Sequence, residues 1–575
     1  MGIPLLFSTL IKNYNKPNDG ICIIKKTIAK SENKINFHLD FNSILYLCLK
    51  PEIIDEDILI IHILQYLDKL ILMLGNENIN ILHICLDGVS IDYKQIQMRN
   101  RRHHSIIYKW RSTEINTKYG NSNKELFYNT EFDTNRFSPG TTFMSKLSLQ
   151  LKNHVSDLSN AIYQTINKII VSDTLIPCEG EIKILHYIKN NPTDKTINSI
   201  IYSLDADVII QSLISNQSLI YLLRESGNFG YLGEYYDGLN FLYLDIDELR
   251  HAFINDLCNQ SPYIEKYIKT NSNNIINDLC MLFFMLGNDF IPKIHHISIH
   301  HNGIHYLTSA YLAVYEQNTI NYLIDTLSLS INTKMLCDIL AILSKKEDIY
   351  IQKYFTKRQN EKIPIKPDMT ERERQQTLVN FMPLQYLEHE STIDPFTIGW
   401  EDRYYNMAFG FPASSNNIKN VTDFYIKSIV WNFRYYYDIN CPSWTYYYPY
   451  TYAPTLKQLY NHILSIDNIN TRYKFDIGEP ILPQNLLVKV LPKSSSNFMI
   501  ASIRNNLNND TDDDLKPYFP NKYGLNFIFH RYYHECTPRI PHLTREIIDK
   551  IMSKYELTAE EQSRNTINDV WTKLK

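Results

Sequence analysis

The chain has 575 residues, 44% apolar and 21% charged, with a formal net charge of −4. That length is large for one core and calls for two or three domains, and the apolar content is that of a globular protein rather than a disordered or fibrous one. With no overall basic excess, any nucleic-acid surface must be concentrated locally, and no run of about 18 uncharged apolar residues is present to span a membrane.

The start, MGIPLLFSTL, lacks the basic flank and long apolar region of a signal peptide, and Leu6 stands where N-myristoylation requires Ser or Thr. Runs INFHLD (35–40), ILHICLD (81–87) and IIYSLD (200–205) read as strands between amphipathic helical patterns, which predicts a parallel α/β sheet built from βαβ units. Each run ends in an aspartate, Asp40, Asp87 and Asp205. Ligands of open α/β sheets sit outside the carboxyl ends of the strands, so these three are expected to meet at one edge. The third run continues as IIYSLDADVII (200–210), read as one strand on which Asp205 and Asp207 point to the same side. Two carboxylates aimed at one spot repel, and burial makes them costlier, so they call for a metal ion or a shared proton.

DYKQIQMRNRRHH (92–104) is the strongest basic patch near these acids. On a helix Lys94, Met98 and Arg101 share one face, with Arg102 alongside, a pattern suited to a terminal phosphate. His103 and His104 are expected at the surface or beside that phosphate. PCEGEIKILHYI places Glu179 and Glu181 just after Pro177 at a helix start, and FFMLGNDFIP places Asp289 after an apolar run that stops at Gly287. Residues 353–395 turn charged and irregular, and the chain then becomes aromatic-rich, culminating in YYYDINCPSWTYYYPYTYAP (435–454). The expected division is an α/β domain carrying the acidic site over 1–345, a charged linker or helical excursion over 346–399, and a second region over 400–575 with a helical tail from about 545. Nine cysteines lie scattered with no C-x-x-C spacing, which reads as reduced thiols in an intracellular compartment.

Singly, each acid has a structural explanation, since an acid in a first helical turn suits the dipole and Asp-Gly makes turns. Together, Asp40, Asp87, Glu179, Glu181, Asp205, Asp207 and Asp289 form an all-carboxylate set with no matching His or Cys cluster. That chemistry favours Mg²⁺, with Mn²⁺ the other fitting ion, over zinc. A pair of such ions about 4 Å apart supports phosphodiester cleavage.

The stretches MGIPLLF, LDFNSILY, DGVSIDYKQIQMRNRR, FSPGTTFM, PCEGEIKILHYI, YSLDADVIIQSL with LLRE, GNDFIP and SWTYYYPYTYAP resemble, in order, the XRN family of 5′→3′ exoribonucleases. The resemblance runs from residue 1 to about 545. It implies a PIN/flap-nuclease-like parallel sheet with flanking helices and a second, aromatic-rich, helical or mixed region packed against it. It also implies that the seven acids are catalytic residues holding two metal ions. Lys94, Arg101 and Arg102 match the family's 5′-monophosphate pocket; Met98 replaces a glutamine there, and Gln97, one position earlier, is the expected substitute. Tyr46 stands where the family commonly stacks a histidine on a base. Trp444 and Tyr446 occupy positions of two usual tryptophans, with Trp444 the favoured stacking residue.

The expected activity is therefore stepwise 5′→3′ hydrolysis of single-stranded RNA bearing a 5′-monophosphate, with release of 5′-mononucleotides. The competing readings are a flap-type 5′ DNA nuclease on the same acidic sheet and a non-catalytic RNA-binding scaffold. A cytoplasmic monomer is expected, in the host cytoplasm if the origin is viral, with functional coupling to a decapping enzyme as its expected partnership. The chain stops where the catalytic regions of such enzymes end, as expected of a compact member limited to that core.

Overall fold

A computed structural model describes residues 3, 5–17, 21–28, 34–49, 55–119, 132–157, 159–191, 196–226, 241–317, 321–438, 440–509 and 511–568. Met1, Gly2 and Pro4 of the MGIPLLF motif and the end of the C-terminal tail lie outside these residues. The chain organises around a seven-stranded sheet: β1 (Ile24–Lys25), β2 (Ile35–Asp40), β3 (Ile79–Cys85), β4 (Lys168–Ser172), β5 (Asn198–Tyr202), β6 (Ile220–Glu225) and β7 (Phe241–Asp245). Their order is β1-β7-β6-β5-β2-β3-β4. The five strands from β6 to β4 run parallel, while β7 is antiparallel to both β6 and β1.

The strand sequences explain a sheet covered on both sides. Along β5, Ile200 and Tyr202 enter one apolar cluster with Phe37, Leu39, Leu82 and Ile84, whereas Ile201 enters the opposite one with Leu222 and Leu244. Register places Asp40 opposite Cys85 and Leu39 opposite Tyr202, so the carboxyl ends of β2, β3 and β5 lie level.

The helices that frame this edge are α1 (Asn42–Cys48), α2 (Asp92–Tyr119), α3 (Gly180–Asn190), α4 (Asp207–Ile214) and α5 (Ser272–Phe283). Further along come α6 (Glu347–Gln359), α7 (Glu371–Asn380), α8 (Asn417–Tyr437), α9 (Pro483–Val490) and α10 (Arg545–Met552). The charged stretch is ordered: Thr370 and Glu373 form a reciprocal cap that starts α7. Arg372 donates to Asn116 of α2 at 3.0 Å, and Gln376 donates to the Tyr108 hydroxyl at 3.0 Å.

The aromatic-rich second region packs onto the first. Tyr425, Trp431 and Phe433 of α8 share a cluster with Phe283 and Phe284. The C-terminal segment also grips α2: Lys489 and Asp92 form a buried ion pair at 2.9 Å, and Arg99 donates to the Lys489 carbonyl at 2.8 Å. Among the described residues, no helix is long and apolar enough to cross a membrane.

Two expectations need correction. The run 200–210 is not one strand. β5 ends at Tyr202, a turn follows, and α4 begins at Asp207. Asp205 accepts a hydrogen bond from the Asp207 amide at 3.2 Å, the local side-chain–backbone contact that diverts a chain from strand into helix. His103 and His104 are buried, at 2% and 9% exposure, rather than at the surface. His103 bonds the Arg99 carbonyl at 2.9 Å, and His104 bonds the Tyr533 carbonyl at 2.7 Å with their rings 4.1 Å apart, so His104 is docking material for the C-terminal segment.

Candidate active site

The site begins with three chain exits at one sheet edge. Asp40 is the last residue of β2, Asp87 follows β3 by two residues, and Asp205 follows β5 by three. Each carboxylate is oriented by its neighbours. Asp40 accepts from Ser43 at 2.8 Å and from Ser203 at 3.0 Å. Asp87 accepts from the Asn42 amide at 2.7 Å and from the Gly180 backbone N–H at 2.8 Å. Arg224 of β6 donates to the Leu204 carbonyl and so fixes the turn that carries Asp205.

α3 reaches this edge because residue 180 is glycine. A Cβ there would lie 2.9 Å from Asp40 Oδ1 and 3.0 Å from the Cys85 carbonyl. With that approach, Glu179 precedes the first helical residue and Glu181 lies in the first turn. The helix is also pinned from behind by Lys183, fully buried, whose ammonium donates to the carbonyls of Leu86 and Asp173 at 2.6 and 2.9 Å. Carboxylate oxygens of Asp40, Asp87 and Glu181 all lie within 4.8 Å of one another, a grouping that can hold a metal ion. Glu179 and Asp289 converge instead on Lys94, whose ammonium stands 2.5 and 2.8 Å from them. Asp207 lies within the electrostatic reach of Tyr436 of α8, so the second region borders the site.

The electrostatics follow from packing many like charges into a closed space. Burial, then repulsion from Asp87, raises the Asp40 pKa to about 7 against the help of its two serines. Burial and Glu179 hold Glu181 well above the carboxylate range, and burial with Asp205 and Asp289 does the same to Asp207. For Asp289 burial works the same way, but Lys94 and other nearby positive charge outweigh it and the pKa falls. A divalent cation would relieve the repulsion in such a cluster.

The basic helix α2 splits its cluster. Lys94 lies inside the acidic site, whereas Arg101 is exposed and Arg102 half-buried farther along. Arg102 donates to Ser138 at 2.9 Å, its other terminal nitrogen is buried without a partner among the described residues, and burial brings its pKa down to about 10. The Gln97 amide oxygen is likewise buried and unpartnered. Met98 is turned elsewhere: its sulfur accepts from Ser90 at 3.4 Å, and the side chain packs on the cluster around Leu486.

Tyr46 is 59% exposed, edge-on to Phe137 at 5.3 Å and within the electrostatic reach of Arg102, Arg101 and Asp87. Trp444 is only 4% exposed, and its main chain is held between Asp92 and Ile477 by bonds of 2.9 and 2.8 Å. The Tyr446 hydroxyl is tied to Ser428 and to the Phe424 carbonyl, each at 3.0 Å.

Asn42, Ser43, Ser203, Gly180 and Tyr436 were not singled out by sequence reasoning. Asn42 and Ser43 stand two and three residues after Asp40 in LDFNS, a signal within reach. Tyr436 is one tyrosine among 42, and only the fold selects it.

A mostly parallel sheet with buried carboxylates gathered at its carboxyl edge, closed over by a helical region, defines a nuclease-like α/β protein. Residues 1–226 match the XRN 5′-3′ exonuclease N-terminus, and residues 269–395 and 388–571 match the Xrn1 helical domain, so the chain belongs to the XRN 5′-3′ exonuclease family. It is 25% identical to 5′-3′ exoribonuclease 1 of Homo sapiens over 98% of this chain and 35% of that protein. It is 24% identical to 5′-3′ exoribonuclease 1 of Saccharomyces cerevisiae over 92% and 42%, and 22% identical to 5′-3′ exoribonuclease 2 of Candida albicans over 98% and 74%. The chain thus spans less than half the length of the first two relatives.

Proposed function

We propose that this chain is a 5′→3′ exoribonuclease that hydrolyses single-stranded RNA from a 5′-monophosphate end and releases 5′-mononucleotides. The observation that carries this reading is the meeting of two opposite chemistries around Asp87 and Tyr46. Asp87 belongs to the buried carboxylate cluster, and Tyr46 lies within the electrostatic reach of Asp87, Arg101 and Arg102, the last with a guanidinium nitrogen that has no partner among the described residues.

The donor set is made of hard carboxylate oxygens, which fits Mg²⁺ or Mn²⁺. Asp40, Asp87 and Glu181 would hold one ion, and Glu179, Asp205, Asp207 and Asp289 would surround a second. When bound, such ions supply charge neutralisation at the scissile phosphate and an activated water. The chain's own residues do the rest. Arg101, Arg102 and the Gln97 amide hold the terminal phosphate, and guanidinium geometry suits that group. Lys94, already between Glu179 and Asp289, places a positive charge between the acids and that phosphate. Tyr46 offers an open ring to the first base, where stacking contributes ~1–3 kcal/mol; Trp444, only 4% exposed, serves as a packed wall of the second region. Ser43, Ser203, Asn42 and the Gly180 N–H keep the acids of the first ion in place through turnover. Each released nucleotide exposes a new 5′-monophosphate, so the cycle repeats on the shortened strand.

The test compares 3′-labelled single-stranded RNAs with 5′-monophosphate or 5′-hydroxyl ends, with Mg²⁺ and with chelator. Progressive loss of the monophosphate RNA only, and only with metal, is expected. Equal digestion of both ends would dispose of the phosphate pocket, and digestion of neither would dispose of the exonuclease reading.

A further inference from the structure

A second basic pocket lies away from the carboxylates, between the segment after Asp289, helix α6 and the strip 529–535. Its cavity of about 40 Å³ exceeds the roughly 10–15 Å³ that one water requires on this measure. His295 lines it and is 94% buried, stacked on Phe529 at 4.4 Å, and neither of its ring nitrogens has a partner among the described residues. His301 lines it too: its Nδ1 meets Ser298 Oγ at 2.8 Å, while Nε2 is buried and unpartnered. The Nε of Arg531 is in the same condition. Buried polar groups are nearly always paired, so three lining residues with orphaned nitrogens in one cavity call for a shared ligand.

Charge identifies the kind of ligand. Lys293, Lys357, Arg358 and Arg531 line the pocket against Glu361 and Glu535; Arg358 is also matched by the buried Glu390 at 2.8 Å and Arg531 by Glu361 at 3.4 Å, which leaves Lys357 as the cation with no acid against it among the described residues. Glu535 pairs with Lys293 at 3.2 Å and accepts from the Arg531 and Tyr532 amides; Glu361 accepts from Arg358 at 2.7 Å. Lys357 donates to the His300 carbonyl at 2.6 Å, leaving its charge uncompensated by that contact. The histidines register the resulting potential. Burial first, then the fields of Lys357, His300, Lys293 and Arg358, pull His301 down to about 3. A metal ion fits poorly: among the described residues, no three His, Cys, Asp or Glu ligand atoms converge here.

We propose that this pocket is an oxyanion site for one phosphate-sized group, received by the His295, His301 and Arg531 nitrogens with Lys357 at its mouth. Free inorganic phosphate and the phosphomonoester of a mononucleotide share this chemistry.

The site is tested on the whole metal-free protein by calorimetric titration with inorganic phosphate against chloride at equal ionic strength. Saturable phosphate binding is expected, weakened at least tenfold by His295→Phe, which keeps the ring packed on Phe529, and by the exposed Lys357→Met. The same binding is expected to survive Arg102→Met. Phosphate uptake equal to that of chloride, or uptake lost in Arg102→Met and untouched by His295→Phe and Lys357→Met, overturns the proposal. Competition by uridine 5′-monophosphate for the His295-dependent site supports it with a nucleotide as the source, and saturable phosphate binding without that competition supports it with the free ion. Because these readouts need no RNA hydrolysis, they stand apart from the exonuclease assay.

Discussion

At the scale of single residues, the acidic site stores repulsion. Glu181 is buried beside Glu179 and Asp40, and its charge is disfavoured there. Glu181→Gln is therefore expected to lower turnover by at least ~10²-fold. Melting of the metal-free variant should match or exceed that of the parent, as happens when a strained functional site is neutralised. The informative measurement is the rise in Tm on adding Mg²⁺: it should shrink in the variant, and an undiminished rise would remove Glu181 from the metal site.

A second residue shows the opposite balance. Asp423 of α8 accepts from His462 at 3.1 Å and from Arg472 and Tyr473 at 2.9 Å each. Burial opposes its charge, but these donors prevail and bring the pKa to about 2. A carboxyl depressed below its unfolded value of about 3.9 stabilises the fold above that pH, and the contribution fades as pH falls toward 2. Asp423→Asn should thus be less stable than the parent in urea at pH 6, with the gap narrowing by pH 3. A gap independent of pH would mean that packing, not charge, makes the difference.

At the scale of elements, the seven acids were legible because each terminates or opens an apolar run, and β2 spans the residues expected of it. The strand reading of 200–210 failed for a local reason. An apolar run does not distinguish strand from helix, and the Asp205 side chain, bonding two residues onward, decided for helix. That turn still serves the site, because it brings Asp207 in as the first residue of α4. Gly180 is the other element-scale feature. Gly180→Ala places a methyl against Asp40 and the Cys85 carbonyl, so α3 must back away from the sheet edge. Overpacking of this kind costs about 1–3 kcal/mol. The displacement should cut turnover well beyond the change in RNA affinity, since Glu181 moves with the helix. A variant with parental kcat would show that α3 adjusts without disturbing the acids.

At the scale of the whole molecule, the second region is part of the architecture of the first. Tyr436 lies within the electrostatic reach of Asp207, His104 lies against Tyr533, and Lys489 meets Asp92 where both are 3% exposed. Burial raises the Asp92 pKa and lowers that of Lys489, so each charge persists there through its partner. Removing one partner of a buried pair typically costs ~3–5 kcal/mol, whereas replacing both with apolar residues is often neutral. Lys489→Met should therefore lower the urea midpoint strongly, and adding Asp92→Leu should recover most of it. Additive losses in the double variant would show that the two sites act independently.

The sequence by itself determined the class of sheet, the acids at its edge, the basic helix beside them and the family. Those features follow from local periodicity and from residue types whose chemistry is specific wherever they stand. Only the tertiary structure decided which acids share a site with which. Asp40, Asp87 and Glu181 meet one another, while Glu179 and Asp289 meet on Lys94. It also decided that His103 and His104 are buried, that Met98 faces the C-terminal cluster, and that one tyrosine of α8 borders the site. Those outcomes depend on contacts between residues far apart in the chain, where burial and repulsion are set by neighbours that no local pattern records.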